Sequence, residues 1–384
     1  MILLFWTLCG LTLYAYVGYP VLIWLLSLLA GRSRRTAGQE AAWRPMVSIL
    51  IPAYNEQEVI GRKIENTLSL DYPADKREII IASESDDATD SIVRRYAGQG
   101  VTLLSSSVRR GKVANLARAV PASKGEILVF TDANALVRPD ALRLLVRHFA
   151  DLRVGAVSAR LVYRDSARAA SAAGEEAYWG LEMLVKRASS RLGSLPGANG
   201  SMFCLRRDLY LPISVDRGDD FELPIRAILH GYDSILEPRA VTQEEASATF
   251  RDEYRRKVRI INWMVVSALI LLREALEKRR WLLAFQLLSH KLNRWAVPFY
   301  LLALLPISLW LAPRGEIYLA AAWAQCLLYA LALAGLLAIR AGRGLKVLTL
   351  PLYFVVVNAA SFVGLVTRAL GRDVAWHKRP DAVV

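Results

Sequence analysis

Residues Glu126–Asn134, Glu-Ile-Leu-Val-Phe-Thr-Asp-Ala-Asn, decide how the rest of the chain is read. The apolar run Ile127-Leu128-Val129-Phe130 is short and stops abruptly at Thr131-Asp132-Ala133-Asn134. That pattern reads as a buried strand of a parallel sheet that delivers an acidic tip at its carboxyl end. In open α/β sheets ligands bind beyond those ends, so Asp132 stands where chemistry happens. The plainer reading is that Asp132 and Asn134 only open a turn, with Pro139-Asp140 starting the next helix. This stretch alone leaves both open.

Upstream, Met46–Ile51 is a strand-like run ending at Pro52-Ala53-Tyr54-Asn55-Glu56. Residues 58–70 follow as a helix with Val59, Ile60, Ile64 and Leu68 on its apolar side. Glu78–Ala82 is a second strand and finishes in Ser83-Glu84-Ser85-Asp86-Asp87-Ala88-Thr89-Asp90. Val101–Leu104 is a third, and Arg109-Arg110-Gly111-Lys112 opens a helix through Val120. Downstream, Val154–Leu161 is strand-like and residues 171–192 are helical. The Gly-rich turn Leu195–Ser201 runs into the strand Met202–Leu205; it suits close backbone approach to a ligand, although a plain tight turn is equally permitted. Asp219 and Asp220 begin a further helix, where capping its positive end is the simple explanation for the pair. Ile235–Val241 is the last strand. Alternation at this spacing predicts a parallel sheet with helices on both faces.

The strand tips carry acids, Glu56, Asp86 and Asp132, with Lys112 and the Arg109-Arg110 pair between them. No Gly-x-Gly-x-x-Gly follows the first strand and no Walker loop occurs, which argues against dinucleotide and P-loop enzymes. Acids, a point cation and a bridging divalent ion together suit a nucleoside diphosphate.

The chain of 384 residues is 54 % hydrophobic, and the excess is clustered. Stretches 1–30, 295–313, 317–339 and 347–367 contain no charged side chain. At about 1.5 Å per residue each is long enough to cross a hydrocarbon core of about 30 Å. The expectation is an integral membrane protein with one water-facing domain of ordinary globular composition. The first stretch lacks a basic start and a small-x-small cleavage site, so it reads as a retained anchor. Arg32, Arg34 and Arg35 follow it, which predicts a cytoplasmic domain. The net charge of +14 fits a protein held against anionic lipid and handling anionic substrates. A nucleic-acid partner is disfavoured, because the basic residues cluster near membrane edges without any nucleic-acid-binding signature. Cys9, Cys204 and Cys326 are isolated and the His residues scattered, so neither a disulfide framework nor a His-based metal site is expected. Residues 251–263 are basic and then aromatic. With the short apolar run Met264–Leu272 and charged Arg273–Arg280 they read as interfacial helices.

Taken together, these residues resemble the membrane-anchored, inverting family 2 glycosyltransferases of GT-A fold, the group of cellulose, hyaluronan, chitin and poly-N-acetylglucosamine synthases. Pro52-Ala53-Tyr54-Asn55-Glu56 is similar to the family's opening motif along the nucleotide, and Ser85–Asp90 to Asp-Asp-Gly-Ser-Thr-Asp, with Asp86 at the uracil position. Gly111-Lys112 resembles the segment near the diphosphate, and Asp132-Ala133-Asn134 the metal-associated Asp-x-Asp. Asn199-Gly200 falls in the loop that approaches the acceptor, and Gly218-Asp219-Asp220 stands for Thr-Glu-Asp, whose last residue is the catalytic base.

The resemblance implies a GT-A cytoplasmic domain, Rossmann-like with a mostly parallel sheet, combined with transmembrane helices. It implies Asp220, Asp219 and Arg259 as catalytic residues. Ala53, Tyr54, Glu56, Asp86, Lys112, Asp132 and Arg256 would bind the donor, and Asp132 with Asn134 would hold Mg²⁺ or Mn²⁺. The donor implied is a UDP-sugar, UDP-N-acetylglucosamine or another UDP-hexose. The product implied is a growing extracellular polysaccharide, with single-sugar transfer to a lipid-linked acceptor as the alternative. Anionic membrane lipids and a possible homo-oligomer complete the partners. Two departures stand out. Asn134 replaces the second acid, and Arg256-Lys257-Val258-Arg259-Ile260 replaces Gln-x-x-Arg-Trp, with Ile260 where the acceptor-stacking Trp belongs and Trp263 about one turn later.

The expected divisions are an anchor at 1–30, a catalytic domain at 44–250, interfacial helices at 251–281, spans at 285–312 and 317–340, a spanning or re-entrant segment at 347–367, and a basic tail at 368–384. A full last crossing puts that tail outside, whereas Trp376-His377-Lys378-Arg379 resembles a cytoplasmic signature. Re-entry of the last segment, deeper penetration near 264–280 and an external tail all satisfy the pattern.

Overall fold

Alternation along the central strands sorts their side chains onto two faces. Ile49, Ile51, Ile79, Ile81 and Val129 pack on one side, and Leu50, Ile80, Leu128 and Phe130 on the other. Both faces are buried, which is why these strands read as continuous apolar runs. The structure is a computed structural model that describes residues 1–31, 43–164, 172–245, 249–341, 343 and 345–372. Arg32, Arg34, Arg35 and the tail signature Trp376–Arg379 lie outside the described residues.

The chain begins with α1 (Ile2–Leu13) and α2 (Tyr19–Leu29), joined through a π-helical turn. β1 (Val47–Ala53), α3 (Ile60–Leu68), β2 (Arg77–Ser83), α4 (Thr89–Arg94), β3 (Val101–Ser105), α5 (Lys112–Ala122) and β4 (Ile127–Phe130) follow. Next come β5 (Leu136–Val137), α6 (Ala141–Val146), β6 (Val154–Arg164), α7 (Ala172–Arg191), β7 (Phe203–Arg206), α8 (Asp219–Leu229) and β8 (Asp233–Glu245). The strands form one sheet in the order β3-β2-β1-β4-β7-β6-β8-β5.

The expectation of a parallel sheet holds for β1 with β2 and β4, β2 with β3, and β6 with β8. It is corrected at β7, which runs antiparallel between β4 and β6, and at β5, a short strand antiparallel to β8 that the sequence reading omitted. β7 starts at the carboxyl end of β4, with Phe203 opposite Phe130. The chain enters β7 from that end, so β7 runs back along β4 in the opposite direction. The loop ahead of β7 therefore lies at the same sheet end as Asp132.

Beyond the sheet, α9 (Phe250–Glu277) is one continuous helix over most of the stretch 251–281 that the sequence reads as interfacial helices. Its start is capped by Thr249, whose Oγ1 accepts from the Asp252 N–H at 3.2 Å. α10 (Trp281–Gln286) passes through a π-helical stretch, Leu287–Leu292, into α11 (Asn293–Leu311). α12 (Glu316–Arg340) and α13 (Lys346–Ala369) close the chain. Among the described residues Ile2–Leu29, Trp281–Arg314, Glu316–Arg340 and Val347–Ala369 are long and apolar enough to cross a membrane. The second of these helices starts at Trp281, ahead of its charge-free run 295–313.

Polar groups on these segments are used between helices. Asn293 Nδ2 donates to the Leu11 carbonyl at 3.2 Å, Gln325 Nε2 to the Leu301 carbonyl at 2.7 Å, and Asn358 Nδ2 to Tyr16 Oη at 3.1 Å. α13 packs on α7, α9, α11 and α12, and α2 packs on α7, so the apolar helices dock directly onto the catalytic domain.

Candidate active site

Three chain segments converge beyond the carboxyl end of β4. Asp132 leaves that strand. Lys112 is the first residue of α5, and Asp219 the first of α8. Lys112 Nζ donates to Asp132 Oδ1 at 2.8 Å and lies 3.1 Å from Asp219 Oδ1. Two helix amino-termini thus meet at one point, an arrangement that favours an anionic ligand. Gly111 caps α5 with φ +94°, a conformation glycine adopts without strain. The Arg110 and Gly111 N–H groups donate to the buried Glu84 Oε2 at 2.9 and 2.8 Å, which fixes the entry to the helix.

Gly200 closes the cluster. A Cβ placed there stands 3.1 Å from Asp132 Oδ2, 3.4 Å from Asp220 Oδ2 and 3.6 Å from Lys112 Nζ, so only a hydrogen leaves these groups their present spacing. The Ala198 N–H donates to the Asp220 carbonyl at 2.7 Å and ties this loop to α8.

Burial raises the Asp220 carboxyl to about 6, with the neighbouring charge of Asp219 adding to it. Burial raises Asp219 as well, against the pull of Lys112. Burial alone lowers the Lys112 ammonium, but the charges of Asp132, Asp219 and Asp220 outweigh it and hold the group above its ordinary value. Lys112 therefore stays protonated, and Asp220 is a carboxylate of unusual basicity.

A second group of residues forms a shelf where β1 and β2 end. Ala53 is the buried last residue of β1, and the Arg109 guanidinium lies 4.0 Å from the Tyr54 ring centroid. Asn55, at φ +55°, donates its N–H to Ser85 Oγ at 2.9 Å and accepts the Asp86 N–H on Oδ1 at 3.0 Å. The Glu56 N–H donates to Thr89 Oγ1 at 2.8 Å, and Asp86 is exposed at the rim. The two loops named by the sequence are thereby stitched into one surface, continuous through Arg109–Gly111 with the Lys112 cluster.

Arg256 and Arg259 are both on α9. Arg256 pairs with Glu253 at 2.7 Å and donates to Tyr163 Oη at 2.9 Å; Arg259 lies 6.0 Å from the Trp263 ring. Asn134 is exposed.

Among the described residues no group of three or more His, Cys, Asp or Glu forms a preformed metal cage. Asp132 and Asp219 nevertheless meet at Lys112, and Asp219 Oδ2 is buried with no hydrogen-bond partner. This oxygen-only donor set fits a hard divalent ion whose other ligands come from donor phosphates and water.

Lys63 was missed. It is fully buried in α3 and donates to Thr131 Oγ1 and the Ala135 carbonyl, both at 2.7 Å, bracketing Asp132. Thr131 Oγ1 in turn donates to the Ser201 carbonyl at 2.6 Å, which couples the Asp132 loop to the Gly200 loop. The available signal was phase: Lys63 shares the stripe of Ile60, Ile64 and Thr67, the buried face of α3.

Comparison with known proteins agrees with this geometry. Residues 45–262 match the family described as "Glycosyltransferase like family 2", and since they make up more than half of the chain, it belongs to that family. It is a GT-A glycosyltransferase with membrane-length helices that takes a sugar from a nucleotide-sugar donor to a lipid or polysaccharide acceptor. The mannosyltransferase of Pyrobaculum calidifontis, solved with GDP-mannose and Mn²⁺, superposes with a TM-score of 0.69 at 26 % identity, covering 96 % of this chain and 99 % of that one. The β-monoglucosyldiacylglycerol synthase of Synechocystis sp. is 26 % identical over 338 residues, covering 79 % of this chain and 69 % of that protein. The poly-β-1,6-N-acetyl-D-glucosamine synthase of Staphylococcus epidermidis is 24 % identical over 219 residues, 56 % of this chain and 53 % of its own length.

Proposed function

We propose that this enzyme transfers a single hexose, with inversion, from a nucleoside diphosphate sugar to a lipid acceptor at the membrane surface. The observation that carries this reading is where α8 packs. Phe221, the residue after Asp220, is buried in a cluster with Ile261, Ala268 and Leu271 of α9 and with Leu287 and Trp295 of the next membrane-length segment. The base therefore sits against the helices that meet lipid. The 26 % identity to a glycolipid synthase over 79 % of this chain points the same way. A growing polymer, the product first implied by the motifs, is less well supported. Ile260 stands where an acceptor-stacking Trp is expected, and the polar side chains of the spans named above are used in helix–helix contacts.

In the proposed step Asp220 takes the proton of an acceptor hydroxyl while that oxygen bonds to C1 of the sugar. The C1–O bond to the diphosphate breaks, and the nucleoside diphosphate leaves. No enzymic nucleophile is needed. Lys112 and the amino-termini of α5 and α8 stabilise the negative charge of the leaving group. Mg²⁺ or Mn²⁺ held by Asp132, with Asp219 beside it, would supply further charge neutralisation at the diphosphate. The Tyr54–Glu56 and Asp86 shelf receives the nucleoside, uridine by the motif, and the catalytic domain faces the cytoplasm of an inner-membrane protein.

The test incubates purified protein with radiolabelled UDP-glucose, UDP-N-acetylglucosamine and GDP-mannose, with and without lipid extract. Label moving into an organic-extractable lipid is expected. A long polysaccharide formed without added lipid refutes the proposal.

A further inference from the structure

α7, α9 and the π-helical turn before α11 carry cationic side chains that the proposed donor contacts leave unassigned. On α7, Glu182 pairs with Arg294 at 3.1 Å and with His290 at 3.4 Å; on α9, Glu253 pairs with Lys257 at 3.7 Å. Those cations have counter-charges. Lys186 and Lys291 do not: among the described residues neither ammonium has a carboxylate at ion-pair distance. Lys186 Nζ donates to the neutral Asn199 Oδ1 at 2.8 Å, and Lys291 Nζ lies 5.6 Å from the Phe221 ring. Both side chains are half-buried, so both stay reachable. Glu182 is near enough to act on both ammonium groups but is already shared with His290 and Arg294, so cationic charge is in excess there, and holding it half-buried is costly unless a further anion joins it.

We infer that Lys186 and Lys291 seat a phosphate group carried by the acceptor lipid. The inference rests on the lipid-acceptor reading above and narrows it to phosphate-bearing lipids. The placement is suitable on both sides. Asn199, bonded to Lys186, precedes Gly200, whose Cβ position is 3.4 Å from Asp220 Oδ2, so a hydroxyl close to the seated phosphate reaches the base. Lys291 lies just before the charge-free run 295–313, at headgroup depth for a helix entering the bilayer there. α7 packs on α2 and α13, and the Lys291 turn packs on α9, α10 and α11, so the seat is built from membrane-docked helices. The donor diphosphate is already served by Lys112 and two helix amino-termini. Burial lowers the Lys186 ammonium to about 8; the charges of Glu182 and Asp220 oppose the fall, and those of Lys291 and Lys257 add to it.

The experiment measures binding to the full chain in zwitterionic nanodiscs, using dioctanoyl phosphatidate, dioctanoylglycerol and inorganic phosphate as probes, with UDP and GDP as controls. Phosphatidate is expected to bind at least about tenfold more tightly than either other probe. K186Q/K291Q should lose at least about tenfold of that affinity, K186R/K291R should keep it, and nucleotide affinity should stay unchanged in both. Equal binding of dioctanoylglycerol, or undiminished phosphatidate binding by K186Q/K291Q, overturns the inference. Equal binding of inorganic phosphate overturns its lipid part, and loss of nucleotide instead assigns the lysines to the donor. The broader reading fails separately: polymer made without lipid removes the lipid acceptor altogether, whereas transfer to neutral diacylglycerol alone removes only the phosphate.

Discussion

Asp220→Asn separates catalysis from stability. A carboxyl moved from 3.8 to about 6 disfavours its ionised form in the folded state. The displacement corresponds to at most about 3 kcal/mol at neutral pH. Asp220 keeps partial access to solvent, so about half of that is expected to survive screening. The neutral amide that replaces the carboxylate carries no such cost. In chelator at pH 7.5, D220N should therefore melt roughly 3–6 °C above wild type. Because the folded-state value is raised, the advantage is full above about pH 6 and shrinks as pH falls through 6 towards 4, where wild-type Asp220 is protonated too. Transfer should fall by about 10²–10⁴, the loss typical of a missing general base, while nucleotide affinity stays within about twofold. Scanning fluorimetry at two pH values, calorimetric titration with UDP and a radiolabel transfer assay measure the three quantities. Transfer within a few-fold of wild type refutes the assignment of the base. A Tm difference independent of pH refutes the argument from burial, and parallel loss of nucleotide binding makes Asp220 a donor ligand.

Chelation should abolish transfer, restored by Mg²⁺ or Mn²⁺, and N134D should tighten metal binding by adding charge beside Asp132; full activity in excess chelator contradicts the first part, and an unchanged metal titration the second. G200A should keep the fold but lower kcat by at least about tenfold, since its methyl meets Asp132 and Asp220 at 3.1 and 3.4 Å; unchanged kinetics would mean the loop yields freely. K63M leaves Thr131 and Ala135 without their buried donor, an expected loss of about 1–3 kcal/mol read as a lower Tm, together with lower kcat as the Asp132 loop loosens. Wild-type Tm and kcat would remove Lys63 from any positioning role.

The β1, β2 and β4 strands, the apolar spans and the acids at the strand tips were legible in the sequence because their signals are local. Two-sided burial makes a continuous apolar run, and membrane crossing requires a long charge-free helix. The motif order around Asp86, Lys112, Asp132 and Asp220 was legible for the same reason, as were the helix starts at Lys112 and Asp219. The direction of β7 was not. Four residues, Phe203–Arg206, pair as readily in either sense, and only packing between β4 and β6 decides that they run antiparallel. That reversal brings Gly200 to Asp132. Lys63 was hidden because a lysine on an amphipathic helix reads as solvated, and its buried partners come from a loop 68 and 72 residues away. The docking of α7 and α9 on the membrane helices, which sets Lys186 beside Asn199 and Lys291 beside Phe221, is likewise tertiary. Periodicity names the faces that must be buried, but which face meets which is decided by the mutual fit of elements far apart in the chain.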